Sequence, residues 1–393
     1  MGLLRRTPLA AAGIALGYAA SLALLFARHL WILDAAGRPL VIDFLAPFAA
    51  GRMALEGRAL AAYDPLVHHA AEAALVGHAF SGGLAWPYPP HFFFVTATLA
   101  LLPYSAAFLV WSLGTLALYA FVVAKVARDR AAFLLALAPP FVLGGLIAGQ
   151  NGFFTAALLG GALLALDERR PLLCGVLLGL LTVKPQFGIL VPFALAAGGH
   201  WRAFLVAALG AALLGVAAGP AFGFATIPAF LHAVPATTAN LLVHGEVGLN
   251  RVQSVYGAVR WLGGADRLAM VLQAAVTLAC LGFVVALWRS SAALALKAAG
   301  LAATVLLATP YVFVYDFPFL AMALAFLHRA RAFDRVEIAG SFAALVPLIA
   351  FTAEPTPIAL LSPVIVAALV ARRFAHSLPV RASAASPFAA PAP

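Results

Sequence analysis

Few side chains in this sequence can do chemistry, and those that can stand in apolar surroundings. Asp43 interrupts the run Val41-Ile-Asp-Phe-Leu45. A carboxylate among hydrophobes near an interface has a raised proton affinity, which is what a general base at neutral pH requires. Aspartate is also a preferred helix N-cap, so a capping role stands beside the catalytic one. Lys184 lies inside hydrophobic sequence and is followed by Pro185. It can hold a phosphate as a point charge, pair with a buried carboxylate, or snorkel to the surface. Tyr315-Asp316 opens an apolar segment, where the aspartate either caps a helix or supplies a partner for Lys184.

Other polar groups fall in turns. Gly149-Gln150-Asn151-Gly152 is a tight turn whose amides can meet sugar hydroxyls, although turn formation alone explains the glycines. Between Asn250 and Arg260, Gln253 joins two arginines, Arg251 and Arg260, that can bind an anionic head group or simply solvate a loop. Tyr88 and His91 close the Trp86-Pro-Tyr-Pro-Pro-His91 stretch. His68, His69 and His78 match no metal-ligand spacing and read as scattered surface histidines, so no metal is expected. No P-loop, nucleophile elbow or H-E-x-x-H is present in the chain.

These groups must be positioned by a membrane bundle. Of the 393 residues, 64% are hydrophobic and 10% are charged, against about a quarter charged in soluble domains. The net charge of +10 fits an excess of Lys and Arg on cytoplasmic loops and gives no argument for nucleic acid. Cys174 and Cys280 sit in apolar runs and read as small core residues, without a disulfide. Leu3 to Ala27 resembles a signal peptide with its Arg5-Arg6 start, but its length and the lack of a cleavage site favour a retained first span.

A crossing helix needs about 20 apolar residues. Spans are expected at 8–27, 104–124, 131–147, 153–167, 171–183, 187–199, 203–218, 267–288, 292–309, 314–328, 336–351 and 356–371. The chain is thus expected to be an all-α polytopic membrane protein of about twelve transmembrane helices (10–13), forming one domain over residues 1–375. A first periplasmic loop, 28–103, would carry juxtamembrane helices, among them the twelve-residue apolar piece His91 to Leu102. A second long periplasmic loop covers 219–266, and a disordered cytoplasmic tail covers 376–393. With both termini cytoplasmic in an inner (plasma) membrane, sixteen of the 24 Lys and Arg fall inside, as the positive-inside rule prefers. Asp43, Tyr88, His91, Gln150, Asn151, Lys184, Gln186, Asn250, Arg251, Gln253, Arg260, Tyr315 and Asp316 then converge on the periplasmic end.

The ordered set of motifs resembles glycosyltransferase family 87, integral membrane enzymes of the GT-C type. Its pieces here are Asp43-Phe44 with Phe48 and Gly51, Tyr63-Asp64-Pro65, Tyr88-Pro-Pro-His91, and Leu102-Pro-Tyr104 with Trp111. Gly149-Gln-Asn-Gly152, Gly175 to Lys184-Pro185, and Asn250-x-x-Gln253-Ser254 with Gly257 and Arg260 follow, so the similarity runs over most of residues 40 to 320. The segment Thr309 to Asp316 lacks a histidine found in some members, which puts donor or acceptor preference in question. The resemblance implies a GT-C bundle and a mannosyltransferase that uses a polyprenyl-phosphate sugar, acting on a lipid or glycan acceptor. It further implies Asp43 as catalytic base, with inversion by direct displacement from a β-linked donor. Lys184, then Arg251 or Arg260, would hold the phosphate; no cofactor is implied. The competing expectations are a transporter or flippase of envelope lipids or glycans, and a non-catalytic scaffold in which Asp43 only caps a helix.

Overall fold

The computed structural model describes residues 2–82, 84–245 and 248–377. The tail expected to be disordered lies, apart from its first two residues, outside the described residues. The described residues form α-helices and short 3₁₀ or π turns, with isolated β-bridges and no strand. Long apolar runs between Pro and Gly leave the backbone few options in lipid, because a helix satisfies all its own polar groups.

Among the described residues, seven helices are long and apolar enough to cross a membrane. Six coincide with expected spans: Thr7–Ala27, Tyr104–Ala127, Trp201–Phe222, Asp266–Arg289, Arg335–Ala353 and Pro357–Ser377. The expected span at 131–147 is a pair, Ala131–Leu137 and Pro140–Ala148, bent by 63°. Pro139 and Pro140 cause the break, since consecutive prolines remove the amides that would continue the ladder. Gly152–Asp167, Pro171–Leu181, Pro185–Ala197 and Leu294–Thr304 are apolar but shorter than a bilayer core, and Pro318–Ala330 is of similar length. Crossing by length and composition therefore holds for seven helices, or eight with the bent pair, rather than for all twelve expected spans.

The seventh long helix was not expected. Thr226–Val243 falls inside the stretch read as the second periplasmic loop, with a π turn at Ala239–Val243. Pro228, Pro235, His232 and Asn240 dilute its hydropathy, which is the lowest of the seven.

The first loop folds into short helices docked on the bundle. Asp64 caps Pro65–Val76, its carboxylate accepting from Leu66 and Val67 amides, with Pro65 in the first turn and Gly77 closing the helix at φ +81°. The helix Leu45–Leu55 buries Phe44 and Phe48 against Tyr104 and Phe108. Gly51 is required there: a Cβ would run into the carbonyl of Thr96, where Phe93–Leu99 crosses. Small residues likewise let Pro171–Leu181 approach Trp201–Phe222, Gly179 meeting Gly210 and Gly175 meeting Val206.

At the other end of Tyr104–Ala127, charges tie helices together. Arg329 pairs with Asp167 at 2.7 Å and also donates to the Val126 carbonyl. Arg373 grips Glu337 and the Leu327 carbonyl, and Arg372 pairs with Asp334 at 2.8 Å.

Candidate active site

Connections far apart in the chain meet around one cavity of about 370 Å³. Its walls carry Asp43, Tyr88, Gln150, Asn151, Lys184, Gln186, Arg251, Tyr315 and Asp316 from six separate segments. Phe230, Val234 and Leu241 of the unexpected helix give it an apolar side. This is the size and mixture expected of a small-molecule site: mostly apolar, with a few placed polar groups.

Asp43 sits in the turn before Leu45–Leu55 and does not cap that helix: Phe44 holds the cap position, without a side-chain hydrogen bond. Its Oδ2 instead accepts from Gln150 Nε2 at 2.8 Å. The backbone fixes that pairing, since the Phe44 amide donates to the Ala148 carbonyl at 3.0 Å. Gly149 makes the approach possible with φ +68° and with Phe44 and Phe108 against the face a side chain would occupy. Trp111 Nε1 adds a bond to the Gly149 carbonyl at 3.1 Å. Burial pushes the Asp43 carboxyl above its ordinary value, while the Gln150 bond and the charges of Lys184 and Arg251 act against that rise.

Lys184 follows Pro171–Leu181, at the break before Pro185–Gly188. Its ammonium bonds Asp316 Oδ1 at 2.8 Å, both side chains being buried. It also lies 5.4 Å from the ring centres of Phe187 and Tyr315. The two readings of Asp316 hold together: Oδ1 meets Lys184, and Oδ2 accepts from the Phe313 amide at 3.1 Å, capping the turn Val314–Asp316. Gly152 brings this unit to the Gln-Asn turn, since a Cβ there would collide with the Tyr315 carbonyl.

Asn151 is 3% exposed; its Nδ2 donates to the Tyr88 hydroxyl at 3.0 Å and its Oδ1 is buried with no partner. A buried unpaired carbonyl costs free energy until something donates to it. Tyr88 is held in turn through its carbonyl, which accepts from Tyr63 at 2.9 Å. The Arg251 side chain lines the cavity with no hydrogen bond or ion pair to any described residue.

Four expected residues are placed elsewhere. His91 Nε2 meets Thr182 Oγ1 at 3.3 Å. Asn250 donates to the Pro355 carbonyl. Gln253 bonds the Thr356 carbonyl and the Ala359 amide, stitching its loop to Pro357–Leu360. Arg260 donates to the carbonyls of Gly264 and Val243. His68 corrects the surface reading of the histidines, being 1% exposed beside the wholly buried Glu72.

Fold and cavity together define a multi-pass membrane protein with a cavity that gathers polar side chains from six segments. A model of glycosyltransferase family 87 matches residues 86–310, more than half of the sequence, and the chain belongs to that family: it is a membrane glycosyltransferase. No curated protein and no solved structure matches it.

Proposed function

We propose that this chain moves a hexose, mannose in the first instance, from a polyprenyl-phosphate sugar to a hydroxyl of a lipid or glycan acceptor at the periplasmic face. The observation that carries this reading is the shared cavity of Asp43, Lys184 and Arg251. Asp43 is there the carboxylate without an ion-pair partner among the described residues, Asp316 being paired with Lys184, and two cations share the cavity with it, as attack on a phosphate-activated sugar requires.

Asp43 takes the proton from the acceptor hydroxyl while that oxygen forms its bond to the anomeric carbon. The bond from that carbon to the phosphate oxygen breaks, and its electron pair leaves with the lipid phosphate. A single displacement inverts the anomeric centre and uses one carboxylate. Gln150 occupies Asp43 Oδ2 and so fixes the carboxylate's orientation, while Oδ1 has no hydrogen-bond donor among the described residues. Cations lining the cavity stabilise the departing phosphate, Lys184 from a buried position and Arg251 from a solvent-exposed one. Arg251 is the first of these, because Lys184 already shares its charge with Asp316. Asn151 Oδ1 and the Tyr88 hydroxyl suit a sugar hydroxyl, one accepting and the other able to donate.

Membranes containing the chain and supplied with radiolabelled polyprenyl-phosphate mannose test the proposal. The native chain should transfer label to lipid or glycan, and Asp43→Asn should lower the rate by about 10²- to 10⁴-fold, the range for a lost general base. Unchanged transfer in the variant would remove Asp43 from its role. No transfer from any polyprenyl-phosphate sugar would remove the donor.

A further inference from the structure

The helix Pro65–Val76 turns one face, His68 and Glu72, against the wall of the cavity. His68 Nδ1 lies 3.1 Å from the Leu84 carbonyl oxygen, and Nε2 lies 3.2 Å from the Ala46 carbonyl oxygen. Glu72 Oε2 accepts from the Leu84 amide at 3.1 Å. One helix face therefore grips both polar groups of the Leu84 backbone and reaches across to a second element. Leu84 and Ala46 both line the catalytic cavity. Ala46 is in the first turn after Asp43, and Leu84 stands four residues before Tyr88.

Buried ionisable groups in a loop are costly, and a simple apolar core would hold the loop as well. What the imidazole adds is directional: one rigid ring set between two carbonyls from different walls. A neutral imidazole has one N–H, so one proton holds one wall and two hold both. Glu72, 3.6 Å from Nδ1, is the counter-charge for the second proton, and His69 Nδ1 lies 3.5 Å from its other oxygen. Burial opposes that charged pair, pushing His68 down to about 4 and Glu72 up to about 7.

We infer that His68 is a positioning residue for transfer: its neutral ring stands between the Asp43 element and the Tyr88 segment, its one N–H tying one of the two carbonyls and its bulk spacing the other, and so sets the distance between the base and the sugar-facing wall. This rests on the function proposed above, and its structural half does not.

Two substitutions separate the ring's two contacts. In His68→Asn the amide nitrogen can replace Nδ1, keeping Leu84 and releasing Ala46; in His68→Gln it can replace Nε2, keeping Ala46 and releasing Leu84. His68→Phe fills the space and releases both. Hydrogen exchange on the purified full chain should rise in the segment whose carbonyl the single N–H holds, 45–50 in Asn or 84–88 in Gln, and in that same segment in Phe. With labelled polyprenyl-phosphate mannose, release of the Ala46 side in Asn should lower kcat about 10- to 100-fold, the scale of an ångström of misplacement, with little change in KM, or release of the Leu84 side in Gln should mainly raise KM for the donor, according to which wall the exchange data show to be held. Unchanged exchange in both segments of the Phe variant would overturn the clamp. Equal loss of kcat in Asn and Gln, tracking only the folded fraction, would reduce His68 to ordinary packing. If the native chain transfers nothing, the donor reading fails while the exchange pattern still decides the clamp.

Discussion

Asp43 is defined by what faces it. Burial raises its carboxyl, and the bond from Gln150 favours the ionised form. Removing that bond in Gln150→Leu should push the carboxyl higher still. A base works deprotonated, so the acid limb of the kcat/KM–pH profile should move to higher pH in the variant, with the rate recovering above the limb. A limb that stays in place would mean that Asp43 is not the group titrating. Sequence alone singles out Asp43 and Lys184, because charges in apolar runs are conspicuous. It could not say that Gln150 would bond Asp43 rather than a sugar, since 107 positions separate the two and only the fold joins them. Gln253 and Arg260 sit in equally polar sequence, yet their donors are taken by backbone carbonyls. Residue type does not distinguish a group aimed into a cavity from one tying a loop.

At the scale of elements, the site depends on close backbone approaches that only glycine allows. Gly152 begins the helix Gly152–Asp167 directly against the Tyr315 carbonyl. That contact holds Asn151 on the same cavity as the Lys184–Asp316 pair. Gly152→Ala should therefore force the helix start away from Tyr315, costing about 1–3 kcal/mol as overpacking does. Thermal unfolding of the purified chain should show a lower midpoint, and transfer should fall further than the folded fraction does. Gly114→Ala is the control, since nothing lies within 4 Å of a Cβ there and alanine favours a helix. If both variants behave alike, the Tyr315 contact does not support the site. Hydropathy made most of these helices legible before any coordinates, because lipid-facing runs are long and uniform. Thr226–Val243 escaped for the opposite reason: prolines and polar residues lower its hydropathy to the least of the seven long helices, although it supplies the apolar cavity wall.

Across the whole molecule, the cavity and the charge-tied helix ends occupy opposite ends of Tyr104–Ala127. Trp111 bonds the Gly149 carbonyl beside the cavity, while the Val126 carbonyl accepts from Arg329. Fifteen residues of helix separate those contacts, about 22 Å at 1.5 Å per residue, which is most of a hydrocarbon core about 30 Å thick. Arg128 caps the far end of this helix, and Gln186 lines the cavity. The excess of Lys and Arg that suggested an inside face in the sequence includes Arg128 and Arg329. On the positive-inside rule we propose that this end faces the cytoplasm and the cavity the periplasm. Single-cysteine variants Arg128→Cys and Gln186→Cys, made with Cys174 and Cys280 replaced by alanine, test the assignment in intact cells. A membrane-impermeant thiol reagent should label Gln186→Cys from outside and reach Arg128→Cys only after the membrane is opened. Labelling of both from outside would place the two ends of Tyr104–Ala127 on one surface, and a lipid-phosphate sugar presented at the periplasmic face would then have no reason to meet Asp43.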